Sequence, residues 1–235
     1  MQNKKISCVI SCHNEEKNIL LLIDQIKKND LEKNYEIIIV NNGSTDNSWD
    51  VIEKVKDKFP KIKFVNVEKN LGWGNGIMEG LKYASCEYVG WTHGDLQYNL
   101  NSLLKVEELL NEKNNRHDYV LIKGRRKKRK FSDAIFTFLM SVIASIITGK
   151  IMYDINAQPN FFSNTLLKEF KNTPKDLMLD IYFYYKILKK KNNQIIRIPV
   201  SQEQRIFGSS SWNQNFISKF LMGIKQFIGI LKVRF

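Results

Sequence analysis

The feature that most narrows what this chain can fold into is an alternation running through its first half. Short β-type runs at Ile6–Ser11, Glu36–Val40, Ile62–Val67, Tyr88–Trp91 and Tyr119–Ile122 alternate with helix-patterned stretches near 15–28, 46–58, 75–84 and 101–112. Crossovers of that length return the chain to the same end of a sheet, which predicts βαβ units and a mainly parallel sheet. The first two runs stop abruptly in small, polar and acidic residues, Ser11 to Glu16 and Asn41 to Asp46. Polar groups are thereby expected at the carboxyl ends of neighbouring parallel strands, where open α/β sheets bind ligands. Asn14 reads as the N-cap of the first helix, with Glu15 and Glu16 in its first turn, and Ser44 to Asp46 read the same way for the second.

The second half has another texture. A basic run, Lys123-Gly124-Arg125-Arg126-Lys127-Lys128-Arg129-Lys130, leads into an apolar helix pattern at 131–148. An irregular segment from Asp154 to Phe162, a helical stretch near 176–191 and a strand at Ile195–Val200 follow, then a loop with Arg205 and Ser209 to Trp212. From 213 to 235, Ile217, Phe220, Leu221, Ile224, Phe227, Ile228, Leu231 and Phe235 share one arc, with Lys219, Lys225 and Lys232 outside it. That is an amphipathic helix with a basic fringe. The expected division is a domain at 1–212 and a membrane-associating or packing tail at 213–235.

A length of 235 residues allows one substantial core, and 43% hydrophobic with 26% charged residues describes a globular chain. The net charge of +13 calls for an anionic partner: a phosphate-bearing substrate, an acidic membrane surface or nucleic acid. Cys8, Cys12 and Cys86 have no metal-binding spacing and read as buried thiols in a reduced, cytoplasmic compartment. Lys4 and Lys5 precede no continuous apolar region, so no cleaved leader is expected. The longest apolar stretch, Ala134 to Ile147, has about 14 residues, short of the roughly 20 that span a bilayer.

Three segments carry chemistry. Asn70-Leu71-Gly72-Trp73-Gly74-Asn75-Gly76 is a glycine-rich turn feeding a helix, suited to close approach of a phosphate. The fourth strand ends in His93-Gly94-Asp95-Leu96-Gln97, and Asp180 is the one acid in the apolar run from Leu177 to Tyr185. The order of these motifs with the two strand ends resembles family 2 glycosyltransferases of the polyprenyl-phosphate type. Their usual form is V-V-I-P-x-Y-N-E-E, V-D-D-G-S-x-D, N-x-G-x-G-x-A/G and then D-A-D-L-Q, and the similarity extends from about residue 6 to residue 212.

The resemblance implies an α/β GT-A (Rossmann-like) fold, a mainly parallel sheet flanked by helices, and an inverting transfer from a nucleotide-sugar donor to a polyprenyl-phosphate or glycan acceptor. It implies a divalent cation, Mg²⁺ or Mn²⁺, at Asp95, with Gln97 and His93 as further ligands; His93 replaces the first acid of D-x-D, and an imidazole suits Mn²⁺ better. Ser11, His13, Glu15, Asn41, Gly43, Gly72 and Asn75 then face the donor nucleotide, with Asn41-Asn42 where the family has Asp-Asp. Arg125, Arg126 and Ser209 contact phosphate, and Arg205 with Asp95 steadies the leaving diphosphate. Asp154 takes the place of the acceptor-side acid, with Asn156 and Gln158 beside it. Asp180 is the candidate base for a hydroxyl acceptor, whereas a lipid phosphate is already ionised. The apolar helix and the tail suggest a site peripheral to the cytoplasmic, inner face of an anionic membrane, and leave open a membrane-protein partner or homo-oligomer. Nucleic acid is disfavoured because the basic run lacks interleaved aromatic residues and an accompanying motif. A nucleotide-sugar-binding pseudoenzyme is the alternative that the His93, Asn41 and Asn42 departures favour.

Overall fold

A computed structural model describes residues 5–112, 119–127, 131–207 and 216–234. Along the chain lie β1 (Ile6–Cys12), α1 (Ile19–Lys28), α2 (Leu31–Asn34), β2 (Tyr35–Asn42), α3 (Ser48–Val55), β3 (Ile62–Val67), α4 (Trp73–Leu81), β4 (Tyr88–His93) and α5 (Asn101–Asn111). Then follow β5 (Val120–Lys127), α6 (Phe131–Thr148), β6 (Asn160–Ser163), α7 (Asn164–Glu169), α8 (Met178–Leu188), β7 (Gln194–Ser201) and α9 (Phe216–Arg234). The seven strands form one sheet in the order β3-β2-β1-β4-β6-β5-β7. All neighbours run parallel except β6, which is antiparallel to both β4 and β5.

β1 and β2 are buried throughout, as near-continuous apolar runs in a sheet covered on both faces must be. On β1, Cys8, Ile10 and Cys12 face a core closed by α1, α3 and α5, while Val9 faces one closed by α4, α8 and parts of α6 and α9. The three cysteines are free and buried, and burial pushes the Cys8 and Cys12 thiols above their ordinary range. Chain order reverses between β1 and β4, whose ends meet with Ser11 opposite His93. That reversal opens the crevice in which a doubly wound sheet takes its ligand.

Three expectations need correction. Asn14 does not cap α1, which begins at Ile19; it has a left-handed backbone (φ 56°) and stitches loop to loop. Its Oδ1 accepts from Thr45 N and its own N donates to Ser44 Oγ. Asp46 supplies turn-capping, accepting from Ser48 N at 3.0 Å and from Glu16 N at 3.1 Å. The segment read as irregular up to Phe162 contains β6, a strand too short to show an alternation. Finally, the apolar helix falls at the expected 131–148, but its 18 residues, with mean hydropathy 1.8, are long and apolar enough by length and composition to cross a membrane, which the Ala134 to Ile147 stretch within it did not suggest. Residues at both ends of the apolar stretch join the helix.

Candidate active site

The carboxyl ends of β1, β2 and β4 bring the sequence-picked residues to one edge of the sheet. His13 Nδ1 lies 3.2 Å from Asn42 O. Asn41 donates from Nδ2 to Asn66 Oδ1 at 2.7 Å, leaving its own Oδ1 buried without a hydrogen-bond partner, as is Asn42 Oδ1. An orphaned buried acceptor costs about 1–3 kcal/mol, so two at one strand end mark a place made for donors. Ser11 and Asn42 lie directly beneath α4, where a Cβ at Gly76 would come within 2.6 Å of Ser11 Oγ and Asn42 Cγ.

The glycine-rich segment has a different neighbour from the phosphate expected for it. Gly72 (φ 117°) and Gly74 lie against the backbone of 174–176, and Asn75 N donates to Lys175 O at 2.8 Å. Close backbone approach is what these glycines provide, but protein is what approaches. Gly43 (φ 60°) likewise packs on the backbone of Lys69 and Asn70.

Asp95 is buried just beyond β4. Its Oδ1 accepts from Gln97 N at 3.1 Å, and its Oδ2 from Arg205 Nη2 at 2.9 Å. The same guanidinium stands 3.8 Å from Glu15 Oε1, so Arg205, arriving from beyond β7, ties together two buried acids. Burial pushes the Glu15 carboxyl up to about 7 against the pull of Asn18 and Arg205.

Each of the expected metal ligands is engaged with protein. Gln97 donates its amide to Glu203 O at 3.2 Å, and the His93 ring stands between Trp73 (centroids 5.0 Å) and Tyr98 (6.0 Å). Among the described residues no group of three or more His, Cys, Asp or Glu is placed to hold a metal ion. What remains is a single carboxylate, Asp95. That donor set fits a hard cation that keeps its waters and takes its other ligands from substrate phosphates.

Asp180 opens the first turn of α8. Trp91 Nε1 (2.9 Å) and Asn160 Nδ2 (3.0 Å) donate to its Oδ1, and Gln158 Nε2 (2.7 Å) to its Oδ2. Burial pushes this carboxyl above its usual range, while the Lys123 ammonium, the Trp91 donor, the nearby His93 and the Gln158 donor pull it down. Trp91 and His93, two apart on β4, share the face toward α8.

The basic run is largely spoken for. Arg126 is locked by Nε, Nη2 and backbone N onto Asp154, which corrects the expectation that it reaches for phosphate. Lys123 is fully buried, donating to Ala157 O at 2.9 Å and Asn160 Oδ1 at 2.7 Å. Arg125 and Lys127 stay exposed. Ser209, like Lys128 to Lys130 and Trp212, lies outside the described residues. Sequence reading missed Lys123, Asn160, Trp73 and Trp91. The available signal for Lys123 was its place directly after Val120-Leu121-Ile122, inside the strand and not after it.

A seven-stranded sheet with one antiparallel insertion, and acids gathered beyond its switch point, defines a GT-A fold. The sequence profile of glycosyl transferase family 2 matches residues 7–135, more than half of the chain, and the chain belongs to that family. Poly-beta-1,6-N-acetyl-D-glucosamine synthase of Staphylococcus epidermidis is 38% identical over 88 residues, 37% of this chain and 21% of that protein. The Staphylococcus aureus (strain COL) protein of the same name is 37% identical over 84 residues, 36% of this chain and 20% of its own length. The match thus spans about a fifth of these curated relatives. Glucosyl-3-phosphoglycerate synthase of Mycobacterium tuberculosis, solved with Mn²⁺, UDP and phosphoglyceric acid, superposes with TM-score 0.71 at 16% identity, over 98% of this chain and 78% of that one. A mannosyltransferase of Pyrobaculum calidifontis, solved with GDP-mannose and Mn²⁺, gives TM-score 0.65 at 17% identity, over 99% and 69%. At such identities the likeness establishes the fold.

Proposed function

We propose that the protein transfers a sugar, with inversion, from a nucleoside-diphosphate donor to a polyprenyl-phosphate or glycan acceptor. The observation that carries this reading is the Asp95–Arg205–Glu15 assembly at the switch point beyond β1 and β4, with Asn41 Oδ1 and Asn42 Oδ1 lacking donors at the end of the neighbouring strand β2. A base N–H, as uracil and guanine both offer, satisfies Asn41 Oδ1, and the diphosphate then lies toward Asp95. Arg205 exchanges its carboxylate partner for diphosphate oxygens, presenting a planar fork suited to them, and so steadies the charge that develops as the anomeric C–O bond breaks. Asp95 would hold the divalent cation, Mg²⁺ or Mn²⁺, whose chemistry is neutralisation of that same diphosphate; its crystallographic presence in the two structural relatives supports the assignment. The acceptor oxygen attacks the anomeric carbon from the side opposite the leaving group. Where it is a hydroxyl, its proton passes to Asp180; where it is a phosphate, none needs removing.

Titration calorimetry with UDP and GDP, each with and without Mn²⁺, tests the donor site. Binding that needs the cation and disappears in Asp95→Ala is the expected result, with transfer reduced at least about 100-fold. No binding of either nucleotide would remove this reading. Asp180→Asn separates the acceptors: loss of transfer by about 10²–10⁴-fold is expected for a hydroxyl and little loss for a phosphate. One observation favours a second reading, a nucleotide-sugar-binding protein without turnover: a single carboxylate, already paired with Arg205, stands where the family has two. That reading predicts nucleotide binding with no product from any acceptor.

A further inference from the structure

α6 and α9 lie against one another and close one face of the sheet, yet each also carries an apolar stripe that faces away from the core. α6 directs Met140, Ser141, Ala144 and Thr148 inward, with Phe136, Ile143 and Ile147 partly buried, and α9 directs Gln226 inward beside Ile230. Ser141 Oγ and Gln226 Oε1 are buried there without hydrogen-bond partners. Outward, α6 presents Phe131, Ile135, Phe138, Val142 and Ile146, an i, i+4, i+7, i+11, i+15 stripe, with Phe138 63% and Ile146 74% exposed. The outward stripe of α9 is Ile224, Phe227, Ile228 and Leu231. Exposed Ile151 and Tyr153 extend the α6 stripe past its end. A water-facing helix keeps its apolar stripe for the core, and contiguous exposed apolar surface of this kind marks an interaction site.

We propose that the joined outer faces of α6 and α9 form a platform that beds into the surface of an anionic lipid bilayer. The charges argue for that occupant. Exposed Lys150, Lys225 and Lys232 rim the stripes on a chain of net charge +13, the arrangement of an interfacial helix drawn to acidic headgroups. A symmetric contact with a second copy would bring those lysines together. Crossing the bilayer is opposed by the inner face of α6, since Met140 and Ala144 belong to the same buried core as Trp91, Phe183 and Ile230. The helix therefore lies along the membrane plane. The platform also lies next to the reaction site: α9 Gly229 abuts Met178, two residues before Asp180. Only this last link rests on the transferase reading, and it favours an acceptor delivered from the lipid phase.

The test is flotation of the full chain with phosphatidylcholine vesicles, with and without phosphatidylglycerol, beside sedimentation velocity without lipid. The wild type should float with the acidic vesicles and not with the neutral ones. Ile146→Glu and Phe227→Glu, both at exposed positions, should each weaken partitioning at least about tenfold, and Lys225→Glu with Lys232→Glu should abolish the preference for acidic lipid. UDP and GDP titration of the same variants keeps the two ideas apart: flotation without nucleotide binding in the wild type would sink the donor site alone. A wild type that stays unfloated with both vesicles would overturn the platform. So would a dimer that Phe227→Glu converts to monomer without any vesicle binding.

Discussion

Lys123, on the penultimate strand of the sheet, carries an ammonium into the core, where Ala157 O and Asn160 Oδ1 accept from it and the Tyr184 ring lies 5.8 Å away. Burial drags it from 10.5 to about 7, with Asp180 pulling the other way. Because Lys123 donates to Asn160 Oδ1, that amide must point Nδ2 at Asp180, so the lysine both orients a donor to the proposed base and lowers its affinity for a proton. With a hydroxyl acceptor, Lys123→Met should cut kcat on the order of tenfold while leaving the donor KM unchanged, and should move the acid limb of the kcat–pH profile upward. The limb moves up because Asp180 must be ionised to act and has lost its cation. Stability gives an independent readout. Between pH 7 and 10.5 the unfolded chain holds a proton that folded Lys123 has released, so the lysine's own contribution to stability should rise with pH over that range, while the raised Cys8 and Cys12 thiols act the other way above about pH 9 in wild type and variant alike. Thermal unfolding of Lys123→Met should lack that rise; an unchanged slope would mean that the lysine is not buried as described. The sequence showed this residue as one cation among many, since a run of letters carries no record of which of them the strand pulls inside.

At the scale of elements, the buried strands are held by a polar knot at the end remote from the site. Glu36 on β2 accepts from Ser7 Oγ of β1 (2.6 Å), Lys63 Nζ of β3 (2.6 Å), and Ser85 N (2.7 Å) and Oγ (2.8 Å) before β4. Burial alone would raise this carboxyl, but Lys63, Ser7 and Ser85 outweigh it and hold it at about 2 against an ordinary 4.5. A folded-state value below the unfolded one stabilises fully above pH 4.5 and progressively less as pH falls from 4.5 toward 2. Glu36→Gln should be less stable than wild type at pH 7, and the gap in melting temperature should narrow steadily below pH 4.5. A gap that stays constant down to pH 3 would mean that the donors do not favour the ionised form. The knot was invisible in the sequence because its members are 29, 27 and 49 positions from Glu36. β1 and β2, by contrast, were legible, since a parallel strand between two helix layers is a near-continuous apolar run that local pattern reveals.

Across the whole molecule, what sequence could give was the order of parts, and what it could not give was their facing. Asp95, Arg205 and Glu15 were each picked out as site residues, but that Arg205 closes on both acids from 110 positions beyond Asp95 depends on where β7 delivers the loop. The amphipathic period of the tail was equally plain, while its orientation was not, because the same wheel serves a core-facing and a lipid-facing helix. That ambiguity bears on whether the tail is a separate unit. Ile230 is fully buried in the core shared with α6 and α8, which makes α9 part of the cooperative fold. Ile230→Ala should therefore cost about 2–5 kcal/mol and lower the melting temperature of the entire chain by roughly 4–20 °C, in one transition seen alike by far-UV circular dichroism and by tryptophan fluorescence. Trp49, Trp73 and Trp91 sit on α3, α4 and β4, so with Trp212→Phe introduced in both proteins the fluorescence reports the body of the protein and not the tail. If α9 were an independent appendage, the helix signal would melt early in the variant while the fluorescence midpoint stayed at its wild-type value.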